Sequence, residues 1–470
     1  MGSQRCPGEV IVDGDTDLFE YLQTQVLDAL QGLCIELTES SRRCHHFYSL
    51  VGMWGTSLLP RTERLTAVKE DQDRRDDVAV YGPFRQDSMR GQPPSLIESN
   101  MSYIRPSYEV ARDSGITSWS RTAQTMGDTE KGIAARKARW CSFLDMDAPP
   151  RHMLLVRYDH ELPPRPMPHA DEVAARIDWA WLLYEKQFAA VDWLDDDAVP
   201  HLHPYTGTEI FAAAFGCDVH QPEESNPFAR PLIHRASQVA GLKVPEITAE
   251  SLSTLFDIAD ELRRRAGPEA VMRLPDIQSP MDIAALIWDK NTFYMALIES
   301  PEAVRELAAK VRQLLTCFLD EWFARYGKDF VAHYPDYYMP AGITLSEDEI
   351  GAVNPDMFHD FFLPELVELS DRYGGFGMHC CANARHQWPA WKQIPNMRLL
   401  NVAQPPTETQ DAYSVFADHT AQMHGWCGDG DPQTWRFPEA SHAVISTGAS
   451  SRDEAQRLVA SLRVSQCQIR

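Results

Sequence analysis

From about Lys131 onward, short apolar runs alternate with longer stretches of helical period. The apolar runs at 153–158, 270–274, 330–333, 375–379, 397–402, 421–426 and 443–446 predict strands, with a further short one near 217–220. Between them, 172–190, 301–326, 355–373 and 452–462 predict helices. Short strands that are apolar throughout, each followed by an amphipathic helix, indicate parallel strands joined by crossovers. About eight such units over this length predict a closed (β/α)8 TIM barrel, an α/β fold.

The stretch at 355–373 shows how local this evidence is. Asn354 can cap the helix, Pro355 can be its first residue, and Met357, Phe361, Leu363, Leu366 and Leu369 supply an apolar stripe. Gly374-Gly375 then ends it, because glycine enters the left-handed conformation at little cost. The next strand runs straight into His379, Cys380 and Cys381. In a parallel barrel, reactive residues sit at the C-terminal ends of strands.

The first 130 residues have a different texture. A helix is predicted at 17–37, with Leu18, Leu22, Val26, Leu30 and Leu33 on one face. From 62 to 129 the chain turns polar, with short apolar islands such as Val78-Ala79-Val80-Tyr81. The expected organisation is an N-terminal accessory segment, 1–130 and partly irregular, followed by a barrel at 131–470.

Charge and cysteine usage narrow the function. Acidic residues outnumber basic ones by 68 to 44, a formal net charge of −24, which argues against nucleic acid as a partner. No apolar run reaches the roughly 18 residues of a membrane span. The ten cysteines are scattered and no signal-like apolar stretch opens the chain, so a reducing, cytoplasmic setting with free thiols is expected. A Walker loop, a GxGxxG after a strand and paired CxxC motifs are all missing from the sequence.

The chemistry concentrates in "GMHCCANARHQW", which begins at Gly377. Residues two apart on a strand point to one side, so His379 and Cys381 can share a metal, and alternation turns Cys380 toward the surrounding helices. Zinc takes nitrogen and thiolate ligands. Cys427, in "MHGWCGDGDP", is the best third ligand in the sequence, ahead of His424 and Asp431. The plain alternative is a pair of buried free cysteines, and a Cys381 nucleophile is a further one. Asp276 and Asp348 are candidate carboxylates for orienting a substrate or moving a proton, with His379 as a third catalytic candidate. A turn residue at Asp276 and a solvated acid at Asp348 are the bland readings. His333, Tyr337 and Tyr338 in "HYPDYY" are placed at the end of the fourth strand, lining the pocket or packing on the barrel rim.

Four segments carry a resemblance to a known family: "QSPMDIAALIWDKNTFYMALIESPEAV", "GITLSEDEIGAVNPDMFHDFFLPELVELSDRYGG", "MHCCAN" and "AVISTGASSRDEAQRLVASLR". Together they resemble the uroporphyrinogen decarboxylase superfamily, over roughly 131–463. Within it, the likeness points to the zinc methyltransferases that work with corrinoid methyl carriers. The resemblance implies a barrel, zinc as cofactor with His379 and Cys381 as ligands, a small-molecule substrate, a methyl-carrier protein as partner and a homodimer. Asn383 matches the motif's asparagine and joins His333 and Tyr338 as a substrate-facing candidate. Ala382 replaces the motif's glycine, Ala449 stands where the last strand would bring a third cysteine, and the arginine-rich N-terminal signature of the decarboxylases has no counterpart. Zinc-dependent methyl transfer to a thiol is therefore the leading expectation. The alternatives are a cofactor-free decarboxylase or lyase acting on a small carboxylate, and a degenerate barrel that binds without turnover.

Overall fold

The computed structural model describes residues 123–158, 162–223, 225–426 and 437–468. These fall in one compact unit, Arg121–Arg470; the other unit, Met1–Ser120, lies outside the described residues, and with it the helix expected at 17–37 and the apolar island at 78–81. Helix α1, Ala123–Phe143, runs through the expected boundary at 130.

The wall of the barrel can be followed from neighbour to neighbour. Strand β1 (His152–Arg157) pairs in parallel with β8 (Ala443–Gly448), from His152–Ala443 to Arg157–Gly448. Strand β8 meets β7 (Ala421–Gln422), β7 meets β6 (Met397–Gln404), β6 meets β5 (Phe376–Cys380), and β5 meets β4 (Ile343–Ser346), all in parallel. A parallel bridge from Ser346 to Gln278 leads to the segment that begins as β3 (Val271–Met272), and β3 pairs with β2 (His201–Leu202). The ring returns to its start where the Asp197 N–H donates to the Leu154 carbonyl at 2.8 Å. Eight parallel strands closed in this way form the expected (β/α)8 barrel.

Alternation along β1 shows the two sides of the wall. Met153 and Leu155 face the lumen, in one cluster with Val199, Val271, Leu399, Ala421 and Val444. Leu154 instead packs with Ile445 and with Leu462 of α8 (Arg452–Gln468) outside. Trp140 and Phe143 of α1 join the lumen cluster. The larger apolar mass lies between the wall and the outer helices, among them α3 (Glu250–Ala266), α4 (Pro280–Ile287), α5 (Lys290–Glu299) and α6 (Pro301–Tyr326).

Two expectations are corrected. The strand at 330–333 forms as Val331–His333 and bridges in parallel to the β3 segment through Arg273 and Ala332, but it then turns back as an antiparallel hairpin with Tyr337–Met339; Val331 packs in the outer core, while Ala332, Tyr337, Tyr338 and Met339 join the lumen cluster. The fourth wall position belongs to β4. The apolar run near 217 forms Val219–His220, paired antiparallel with Phe228–Ala229 away from the barrel. The helix expected at 355–373 starts as read, with Asn354 Oδ1 accepting the Met357 N–H at 2.9 Å. It then widens to a π-helical turn over Phe358–Phe362 before continuing as α7, Leu363–Tyr373. Pro364 has no N–H with which to close the α-ladder on Asp360, which accounts for the wider turn. Gly374 ends the helix at φ 69°, as expected. Among the described residues no helix is long and apolar enough to cross a membrane.

Candidate metal centre

Strand β5 sorts its side chains by alternation. Phe376, Met378 and Cys380 join the outer core, and Cys380 is fully buried there with its thiol directed to the Ala382 carbonyl at 3.6 Å. His379 faces the lumen at the C-terminal end, and Cys381 follows at the rim. The chain just beyond β4 brings Asp348 to the same place. One ligand atom from each of Asp348, His379 and Cys381 lies within 4.8 Å of the others.

A hydrogen-bond chain fixes the histidine tautomer. Asn401, inside β6, donates from Nδ2 to the Met423 carbonyl, so its Oδ1 faces His379 Nδ1. Nδ1 must then carry the proton, and the lone pair sits on Nε2. The ring of Tyr334 stands edge-on to His379, with centroids 4.8 Å apart at 84°. Asp348 Oδ1 accepts the Cys381 N–H at 2.6 Å, tying two of the three donors together through the backbone. Gln404 Nε2 holds the Cys381 carbonyl at 2.7 Å.

The electrostatics suit a cation. Burial, with the Asp348 charge beside it, drives the Cys381 thiol far above its usual range, so without a cation it stays protonated. A divalent ion reverses that balance, because coordination deprotonates a thiol. The donor set of imidazole, thiolate and carboxylate fits a catalytic zinc site, which takes three protein ligands and keeps one position open. Ligand bonds of about 2.0–2.3 Å place tetrahedral ligands roughly 3.5 Å apart, so the present spread needs only side-chain adjustment. Asp276 stands next to this centre and accepts the Ser346 hydroxyl at 2.6 Å. Burial raises its carboxyl pKa, against the pull of His379 and of that hydrogen bond.

The residues singled out in the sequence meet different fates. His379, Cys381 and Asp348 come together, with Asp348 as third donor and Asp276 beside them. Cys427 and Asp431 lie outside the described residues. His424 is corrected as a ligand: Nδ1 accepts the Val402 N–H at 3.0 Å and Nε2 donates to Gln422 Oε1 at 2.8 Å, so neither nitrogen is free. Ala449 follows β8 and packs against the cluster of Val156 and Val459, offering no donor. Asn383 is exposed, and the amide that reaches His379 is Asn401. His333 is fully buried and stacked on Tyr337 at 5.3 Å; burial and the Arg273 charge lower its pKa to about 3. Tyr338 belongs to the packed lumen, its hydroxyl 3.3 Å from His201 Nδ1 and its ring edge-on to Trp140. His333 and Tyr338 thus pack inside the lumen. Sequence reasoning missed Asn401, Tyr334 and Ser346. The one available mark was Asn401, a polar residue in the apolar run Leu399-Leu400-Asn401-Val402.

These features define an α/β barrel with a polar centre at the C-terminal strand ends. Residues 205–404, which carry Asp276, Asp348, His379, Cys381 and Asn401, match the family model described as uroporphyrinogen decarboxylase (URO-D). The matched stretch lies within the barrel. No curated protein sequence matches the chain. Among solved structures, a methyltransferase from Methanosarcina mazei aligns with a TM-score of 0.48 at 11% identity, over 70% of this chain and 98% of that one. The Bacillus subtilis mannanase BCman aligns with a TM-score of 0.29 at 9% identity, over 71% of this chain and 90% of that one. Likenesses at this level carry no argument about activity.

Proposed function

We propose that this uroporphyrinogen decarboxylase-like barrel is a zinc-dependent enzyme that transfers a methyl group to the thiol of a small molecule, with Asp348, His379 and Cys381 holding the metal. The observation that carries the reading is the convergence of these three donors at the strand ends, with the His379 tautomer set by Asn401. Zinc, when bound, supplies a Lewis-acid position that lowers the pKa of an acceptor thiol and leaves it a competent nucleophile at neutral pH. The protein's own part is positional. Asn401 keeps the Nε2 lone pair of His379 directed at the metal position. Asp276, its carboxyl pKa raised by burial, stands beside it for orienting the substrate.

The test is elemental mass spectrometry on protein purified without chelators and with zinc offered. The expected result is about one zinc per chain, lost in His379→Ala and Cys381→Ser and reduced in Asp348→Asn. No zinc in the unmodified protein would remove the reading. One observation favours a second reading, a carboxy-lyase: the raised carboxyl of Asp276 is suited to delivering a proton to a carbanion. A chelator separates the two, abolishing methyl transfer and sparing decarboxylation.

A further inference from the structure

We propose that Asp282 is a positioning residue for the metal, acting on it through Asp348. The inference rests on the reading of Asp348, His379 and Cys381 as the metal site and extends it to a residue on another element.

Asp282 stands in the first turn of α4 and is 1% exposed. It is not needed as a cap, since Ser279 already fills that place and accepts the Asp282 N–H at 3.1 Å. Nor is it buried among cations: the charges that bear on it are those of Glu347, Asp348 and Glu349, and the Glu347 carboxyl shares a side-chain hydrogen bond with it. A carboxyl in such a place is costly to bury unless its oxygens are used. Both are used, on consecutive peptide groups of the segment beyond β4. Oδ2 accepts the Asp348 N–H at 2.7 Å and Oδ1 accepts the Glu349 N–H at 3.0 Å.

Two adjacent N–H groups held by one carboxyl group fix the direction in which the backbone leaves β4, and so the direction in which Asp348 points. The rest of the grip comes from the same unit of the fold. The Ser279 N–H donates to the Ser346 carbonyl at 2.8 Å, and Lys290 of α5 holds Glu349 at 2.6 Å, with the Tyr294 hydroxyl on the other carboxylate oxygen. Asp348 then receives the Cys381 N–H. The third ligand is thus set from the helices that follow β3, and Asp282 is the link that touches its backbone.

The experiment is a double-mutant cycle read by metal affinity. Zinc affinity is measured by competition with a chromophoric chelator, and cobalt(II) absorption reports the ligand field, for Asp282→Asn and Asp282→Ala in the natural and Asp348→Asn backgrounds. The expected result is a loss of about tenfold for Asp282→Asn, which keeps one acceptor oxygen, and toward a hundredfold for Asp282→Ala, with a changed cobalt spectrum. Both losses should vanish once Asp348 is Asn. Unaltered affinity in Asp282→Asn overturns the proposal, as does a loss that persists undiminished without the Asp348 carboxylate. Should Asp282→Ala fail to fold, Asp282→Asn carries the cycle alone. No zinc in the unmodified chain would overturn the metal reading itself, whereas zinc bound equally by the unmodified chain and Asp282→Asn would overturn this proposal only.

Discussion

Asn401 shows what a single side chain contributes at the centre. It is almost wholly buried and spends both ends of its amide, one on the Met423 carbonyl and one on His379. Asn401→Leu removes the acceptor that holds the Nδ1 proton, so the ring loses its fixed tautomer and orientation. Zinc affinity is expected to fall tenfold to a hundredfold, measured by isothermal titration calorimetry, while Asn401→Asp, which keeps an acceptor oxygen, should retain most of it. An unchanged affinity in Asn401→Leu would mean that the strand alone orients His379. At this scale the sequence was half legible. His379 and Cys381 announce themselves by lying two apart at a strand end. Asp348 is 31 positions before His379 and Asn401 is 22 after it, so their convergence exists only once β4, β5 and β6 lie side by side.

Among elements, strands that lie in apolar runs were legible, the short β3 and β7 included, and those interrupted by polar residues were not. The runs at 397–402 and 443–446 fall within β6 and β8. Strand β2 has two residues, and β4 is Ile343-Thr344-Leu345-Ser346, whose inward positions are hydroxyls. Hydrophobic pattern also cannot show that a strand beside the wall turns back on itself as a hairpin, as the one at 330–333 does. That hairpin makes a demand on its neighbours. Tyr337 presses its hydroxyl against Thr344 and into the space beside Gly377, where an added Cβ would lie 1.6 Å from the hydroxyl oxygen and 2.7 Å from Thr344 Oγ1. Gly377→Ala should therefore destabilise the barrel by at least about 1–3 kcal/mol, the usual cost of overpacking. Tyr337→Phe in the same chain removes the clashing oxygen and should recover part of the loss. Urea unfolding of the two single variants and the double variant measures this, and strictly additive losses would sink the account.

For the whole molecule, the buried titratable groups set how stability responds to acid. His152 and His201 are lowered to about 4, and His333 and His424 to about 3, chiefly by burial. The unfolded chain protonates these rings below about pH 6.5 while the folded one does not. Their stabilisation is therefore complete above pH 6.5 and is lost as pH falls toward the folded values, by up to about 1.4 kcal/mol per pH unit for each ring. Buried acids act in the opposite sense. Asp196 is raised to about 6 and Glu209 and Glu347 to about 7, so the folded chain keeps protons that the unfolded one releases above its own pKa of about 4. Those groups make stability fall as pH rises from about 4 to 7. Between roughly pH 4.5 and 6.5 the two sets offset each other, and below that window the acids are protonated in both states. The histidines then act unopposed, so stability should change little down to about pH 4.5 and fall steeply beneath it. His424 isolates the effect, because its Nδ1 must stay unprotonated to accept the Val402 N–H. In urea unfolding across this range, the natural protein should lose stability relative to His424→Gln progressively from pH 6.5 downward. Parallel curves for the two proteins would show that the ring titrates alike in the folded and unfolded chains, and would remove burial as the cause.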